Sequence, residues 1–323
     1  MKKEKEKKQI QIGGQAVIEG VMMRGPQFLA TAIRREDKSI EIKKQKFLSK
    51  TKQNRFFGFP VVRGFVSLIE MLIIGIKTLS FSASRAELDW EKKEKNKKKE
   101  KSKSREKIEE ILSFIFAFGL AFVLFAFLPY QIAQWMKLAK ENIYFNLFAG
   151  LIRILFFVVY VWAISLMKDV RRIFQYHGAE HKSVYAYENN CDLSIENIQK
   201  FKTPHPRCGT SFMFFVLLIS IFIFSIVDTI FAYFFGAPSV ILRLGYHFLM
   251  LPFISGISYE VLKLSGKNIN HPLVKIMTAP GLALQRITTQ PPDDEQIEVA
   301  VIAMKCALEM ELVEYQNIKF IED

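Results

Sequence analysis

Long uncharged stretches alternate with dense clusters of charge along this chain. Residues 111–136 carry no charged side chain, and residues 143–167 carry only Arg153. Residues 210–235 carry only Asp228, and residues 240–262 carry Arg243, His247 and Glu260. A run of about 18 or more apolar residues is long enough to cross a bilayer as a helix. Four spans are therefore predicted. The last two are joined by a few residues around "FGAPS", which predicts an antiparallel helical hairpin. Asp228, late in one arm, and Arg243, early in the other, would then lie close enough to pair, with His247 lining the same interior. Lone charges there would be costly. Arg153 has no evident partner.

Three further segments have their own periods. In residues 61–81, "VVRGFVSLIEMLIIGIKTLSF", Arg63, Glu70 and Lys77 recur every seven residues and share one helical face. This predicts an amphipathic helix on the membrane or against the bundle, with a fifth span as the alternative. Upstream, "FLATAIRREDKSIEIKKQKF" alternates apolar and polar residues about Asp37-Lys38-Ser39, the pattern of a β-hairpin. Downstream, "TTQPPDDEQIEVAVIAMKCALEMELVEY" has prolines first, then acids, then apolar residues at helical spacing, which predicts a soluble helix. The expected fold is mainly α: a polytopic membrane bundle of about four transmembrane helices with a small cytoplasmic β-hairpin region at the N-terminus. Its parts are a Gly-rich and hairpin region (1–60), the amphipathic helix (61–90), a lysine-rich linker (91–107), the bundle (108–262, with a polar loop at 168–209) and a C-terminal region (263–323).

Charge orients this arrangement. The 323 residues sum to +13, and residues 91–107, "EKKEKNKKKEKSKSREK", are almost wholly charged. Basic residues collect in the cytoplasmic loops of membrane proteins. The first span is therefore expected to leave the cytoplasm, "KDVRR" (168–172) to return to it, and Lys263 and Lys267 to do so again. Both termini and the 168–209 loop then face the cytoplasm. The lysines are not interleaved with aromatic or Arg-rich readout residues, so the expected partner is the lipid bilayer and not nucleic acid. Cys191, Cys208 and Cys306 are too few and scattered for a disulfide framework. The first residues lack the apolar core of a cleaved signal and are expected to stay in the cytoplasm.

Chemistry concentrates in the polar loop. In "YHGAEHKSVYAYE", His177 and His181 share a helical face at i, i+4, Glu188 lies roughly on it, and Glu180 adjoins His181. His-x-x-Glu-His is the inverted zinc-protease pattern, in which two imidazoles hold the metal and the carboxylate activates water. Gly178 weakens the helix, and a polar juxtamembrane helix with surface histidines is the plain alternative. "HPRCGTSF" then brings His205 and Cys208 into the same loop. Imidazole and thiolate are preferred zinc ligands. Arg207 between them suits an anionic substrate or a neighbouring carboxylate, or a lipid headgroup. In "GGQAVIEGVMMRGP" the glycines imply tight turns and close backbone approach. Glu19 is a further candidate base or ligand there and Arg24 an anion holder, although plain packing of a Gly-rich strand would also account for both. The segment lacks the lysine and spacing of a P-loop.

"GGQAVIEGVMMRGP", "HGAEHK", "HPRCGTSF" and the "TTQPPDDEQIEVAVIAM" tail, in that order over nearly the whole chain, resemble the YqhQ-like family of bacterial multi-pass membrane proteins. That family has no defined function and is described at most as predicted metal-dependent enzymes. The resemblance implies a bacterial plasma-membrane location and supports a metal site. Lysine-rich residues 91–107 look like a variable insert. The function expected is a cytoplasm-facing metalloenzyme, most readily hydrolytic, with zinc or a similar divalent metal. His177 and His181 with His205, Cys208 or both are the expected ligands, and Glu188 is a further candidate. Glu180 is the expected base, with Glu19 or Glu188 in reserve. The rival is a non-enzymatic factor assisting another membrane protein, with a structural metal site or none.

Overall fold

In the computed structural model the described residues are 12–94, 103–136, 143–236, 238–267 and 271–321. The chain opens with four strands, β1 (Gly13–Val17), β2 (Gly20–Arg24), β3 (Phe28–Arg34) and β4 (Ile40–Lys46), in an antiparallel meander. Turn chemistry sets their register. Glu19 (φ 54°) and Lys38 (φ 63°) occupy the left-handed region, and Asp37 accepts hydrogen bonds from the Ser39 amide and hydroxyl. The hairpin expected at residues 28–46 is thus the second half of a larger sheet. The Gly-rich segment forms its first two strands. A fifth strand from the other end of the chain, β5 (Ile318–Ile321), adds parallel to β4.

The helices are α1 (Lys50–Gln53), α2 (Val62–Glu94), α3 (Lys103–Phe122), α4 (Leu128–Trp135), α5 (Ile143–Ser165), α6 (Lys168–Glu188), α7 (Ile195–Gln199), α8 (Gly209–Phe235), α9 (Val240–Lys267), α10 (Pro272–Thr288) and α11 (Asp294–Ala307). A π-helical turn, Val123–Phe127, joins α3 to α4. Five segments are long and apolar enough to cross a membrane: Val62–Glu91, Ile111–Trp135, Ile143–Ser165, Gly209–Phe235 and Ile241–Ser265. Among the described residues that is one candidate more than the four spans expected. The added one is α2, which contains residues 62–81 and corresponds to the fifth-span alternative weighed for that segment.

Side-chain alternation makes the sheet two-faced. Val21, Met23, Ala32, Ile40 and Ile42 form one core with α6 and α11, where Tyr176, Ala179, Ile297 and Val301 are fully buried. Met22 and Leu29, on the opposite face, pack with Ile74 and Met71 of α2. The sheet is held between α2 on one side and α6 with α11 on the other. The tail helix starts as expected: Asp293 and Gln296 form a reciprocal capping box. Gly236 (φ 79°) ends α8, and α9 begins at Val240. Asp228 and Arg243 pair across that hairpin, and His247 Nε2 is 2.8 Å from the same carboxylate. Arg153 donates from Nε to the Phe125 carbonyl at 2.7 Å. That carbonyl lies in the π turn, where the regular i→i−4 ladder is broken.

Candidate metal centre

Half of the loop expected between two spans is helix α6, the central buried element of the sheet domain. Residues Gly178 to Val184 of α6 are all buried. The helical spacing of His177 and His181 brings their rings to a centroid separation of 4.5 Å. Cys208 arrives from the N-cap of α8, with Sγ 3.3 Å from His177 Nε2. One ligand atom from each of His177, His181 and Cys208 lies within 4.8 Å of the others, which makes them a set able to hold a metal ion.

The far ring nitrogens explain why the imidazoles point inward. His177 Nδ1 is 2.8 Å from the Thr288 carbonyl, and His181 Nδ1 is 2.5 Å from the Thr203 carbonyl. A carbonyl only accepts, so Nδ1 carries the hydrogen in each ring and the Nε2 lone pair faces the cluster. Metal-binding histidines are commonly oriented in this way. Thr288 ends α10, so its carbonyl is among those a helix leaves unsatisfied.

Glu180 stands beside the three. Its Oε2 is 3.4 Å from His181 Nε2, its side chain is buried, and the Gly14 amide donates to it. Burial raises its pKa; the His177 imidazole and the Gly14 hydrogen bond oppose this. Burial likewise pushes the Cys208 thiol up to about 12, with the Glu180 charge adding to it. His181 is held well below the usual imidazole range by burial, then by the neighbouring His177 and His205. Burial thus favours the neutral forms of Glu180, His181 and Cys208; a divalent cation would keep the imidazole neutral and draw the thiol and the carboxyl to their charged forms.

The other candidates lie apart from these three. His205 is brought to 5.7 Å from the His181 ring, but its Nε2 faces Glu188 at 3.3 Å and its Nδ1 accepts from the Arg207 amide. Burial lowers its pKa to about 4. Arg207 forms an ion pair with Glu188. His205, Glu188 and Arg207 therefore make a second polar group next to the cluster. Glu19 belongs to neither: Arg172 takes its carboxylate in a two-pronged ion pair, and Tyr176 OH is 3.3 Å away. Arg24 points at α2, 3.1 Å from Met71 Sδ and stacked over Phe47 at 4.6 Å. Its pKa is lowered by burial.

Two glycines let these elements close up. A Cβ on Gly178 would run into the Gln290 carbonyl and lie 3.3 Å from Thr203 Cγ2. Gln290 follows Thr288, and its amide donates to the Phe174 carbonyl at 2.9 Å. The residue that weakens the helix on paper is the one over which the strap holding His177 crosses. Gly14 serves the other side: a Cβ there would lie 2.9 Å from Met23 Sδ and 3.0 Å from Glu180 Cγ. Sequence reasoning missed Thr203, Gln285 and Thr288, because carbonyls leave no residue signature. Gln285 was open to notice as a polar residue inside an apolar helix. It is fully buried, accepts from the His205 amide at 2.7 Å and donates to its carbonyl at 3.0 Å.

Residues 59–310 match the family described as a protein of unknown function, DUF1385. The chain is also 34% identical over 314 residues to the uncharacterized protein YqhQ of Bacillus subtilis (strain 168), covering 95% of each. No solved structure matches it.

Proposed function

The chain belongs to the DUF1385 family, for which no activity is defined, and from that premise we propose that it is a membrane-bound metal-dependent hydrolase with its centre on the cytoplasmic side. The observation that carries this reading is the convergence of His177, His181 and Cys208 with a buried carboxylate beside them and not among them. Three protein ligands with room for a fourth is the pattern of catalytic zinc; structural sites use four. Zinc held there would supply Lewis acidity and make a water acidic near neutral pH. Glu180 would take the proton from that water and return it to the leaving group. Its raised pKa suits it to hold the proton between the two steps. Thr288 and Thr203 keep the two imidazoles in register throughout.

Glu180→Gln tests the assignment. The variant is expected to retain the metal content of the parent, about one ion per chain by elemental analysis of detergent-purified protein, while losing turnover. Loss of the metal as complete as in a ligand variant would make Glu180 a fourth ligand and favour the rival, a membrane factor with a structural site.

Charge and packing support this location. Between the sheet and α6 lie three of the five apolar segments. Three crossings would put Glu19 and Arg172, which bond each other, on opposite sides of a bilayer. The helix left out is α2. It meets the sheet domain from Glu70, which accepts from Ser49 and Lys50, through Ser82, which accepts from the Ile18 amide, to Asp89, which takes Arg35. That is about 28 Å of helix at 1.5 Å per residue, and no hydrocarbon would admit the polar rim of the sheet. The α2 helix accordingly lies at the cytoplasmic surface, with Leu72, Ile73 and Ile76 of its exposed face toward lipid. Reporter fusions after Met136 and Gly236 are expected outside the cell, and fusions after Arg172 and Lys267 inside. A tag in residues 91–107 is expected inside as well; an outside signal there would make α2 a crossing and overturn this arrangement.

A further inference from the structure

Ionisable groups also gather among the apolar helices, away from the metal centre. On the orientation proposed above, α5 and α9 begin at the outer face and α8 ends there. Arg243 then lies within a turn of that face, Asp228 about 10 Å in, and Arg153 about 15 Å in, taking 1.5 Å per residue. The Asp228 carboxylate receives Arg243, the Tyr246 hydroxyl and His247 Nε2, the last at 2.8 Å. Arg243 also donates to Asn146 Oδ1 at 2.7 Å. Arg153 lies within electrostatic reach of Arg243 and Asp228, yet its hydrogen bond goes to the Phe125 carbonyl, which carries no charge.

The charges do not balance. Among the described residues two guanidiniums share one carboxylate, and Asp228 already carries the Arg243 ion pair and the Tyr246 and His247 contacts. A guanidinium left without a counter-charge deep in hydrocarbon is among the costliest placements a membrane protein can make. It also runs against the bias that places arginine on the cytoplasmic side. Exposure shows where the missing negative charge would enter: the Asp228 side chain is 6% exposed and Arg243 is 30% exposed. The carboxylate is roofed over while part of the Arg243 side chain remains open.

We infer that Arg153 and Arg243 form an oxyanion-binding centre in the outer half of the bundle, with Asp228, Tyr246, His247 and Asn146 holding Arg243 in place. The ligand is a phosphate-type oxyanion, the group that guanidinium donors match in a two-pronged fashion. An acidic lipid headgroup and free phosphate share that chemistry. The inference rests on the membrane orientation above and is independent of the hydrolase reading.

The test uses the full chain in nanodiscs of phosphatidylcholine alone, of phosphatidylcholine with phosphatidylglycerol, and of phosphatidylcholine with inorganic phosphate added. The readout is the midpoint of thermal unfolding. The parent is expected to gain about 5 °C from one of the two anions, as for a ligand near 100 times its dissociation constant. Arg153→Met is expected to lose that gain, and Arg153→Lys to keep part of it. A gain from phosphatidylglycerol alone identifies a lipid, and a gain from phosphate identifies the soluble ion. No gain in the parent, or an equal gain in Arg153→Met, overturns the inference. A cooperative unfolding transition of Arg153→Met in phosphatidylcholine alone, at a midpoint close to that of the parent, reports that the variant is folded, and metal content is measured on the same samples. A parent without metal would sink the hydrolase reading and leave this one standing.

Discussion

His181→Ala is expected to lower metal affinity by about 100-fold or more, while His205→Gln changes it less than about 10-fold. Removing a group that merely orients a ligand costs roughly 10–100-fold, and removal of a ligand should exceed that. His181 is 3% exposed, its Nδ1 is committed to the Thr203 carbonyl, and its Nε2 faces His177, Cys208 and Glu180. His205 is only one ring further on, but its Nε2 is turned to Glu188. Titration of the purified variants with zinc against a competing chelator separates the two histidines. Equal losses would mean that His205 swings into the centre when metal binds, and the ligand set would have to be redrawn.

The second large effect is expected from the smallest change. Gly178→Ala should destabilise the protein by roughly 1–3 kcal/mol, the usual range for overpacking a closed interior, and should weaken metal binding as well. The added methyl collides with the Gln290 carbonyl, which belongs to backbone and cannot rotate aside. Relief requires the strap to lift, and with it the Thr288 carbonyl that fixes the His177 tautomer. Gly209→Ala is the matched control: it lies in the other motif, with nothing within 4 Å of its Cβ position. At the start of α8, alanine should be neutral or slightly stabilising. Thermal unfolding and metal content of the two variants decide the matter. If Gly178→Ala were as benign as Gly209→Ala, the crossing would be looser than its geometry implies.

Local pattern made the elements of this protein legible. Uncharged runs of span length announced α3 to α5, α8 and α9, alternation about Asp37 announced β3 and β4, and the acids after the prolines announced α11. The i, i+4 spacing of His177 and His181 was enough to place them on one face, because helical geometry is local and periodic. The pairing of Asp228 with Arg243 was legible too, since a tight hairpin leaves two buried charges little choice of partner. Tertiary structure decided everything that depends on segments distant in sequence. It chose Cys208 over His205 because the α8 N-cap and not the preceding turn enters the cluster. It gave Glu19 to Arg172, and it supplied Arg153 with a carbonyl from a π turn that no periodicity foretold. It also drew α2 along the sheet through contacts from Glu70 to Asp89. The apolar content of that helix suits a bilayer and a sheet face equally well. Hydrophobicity fixes only that a surface must be covered, and packing against the rest of the chain decides by what.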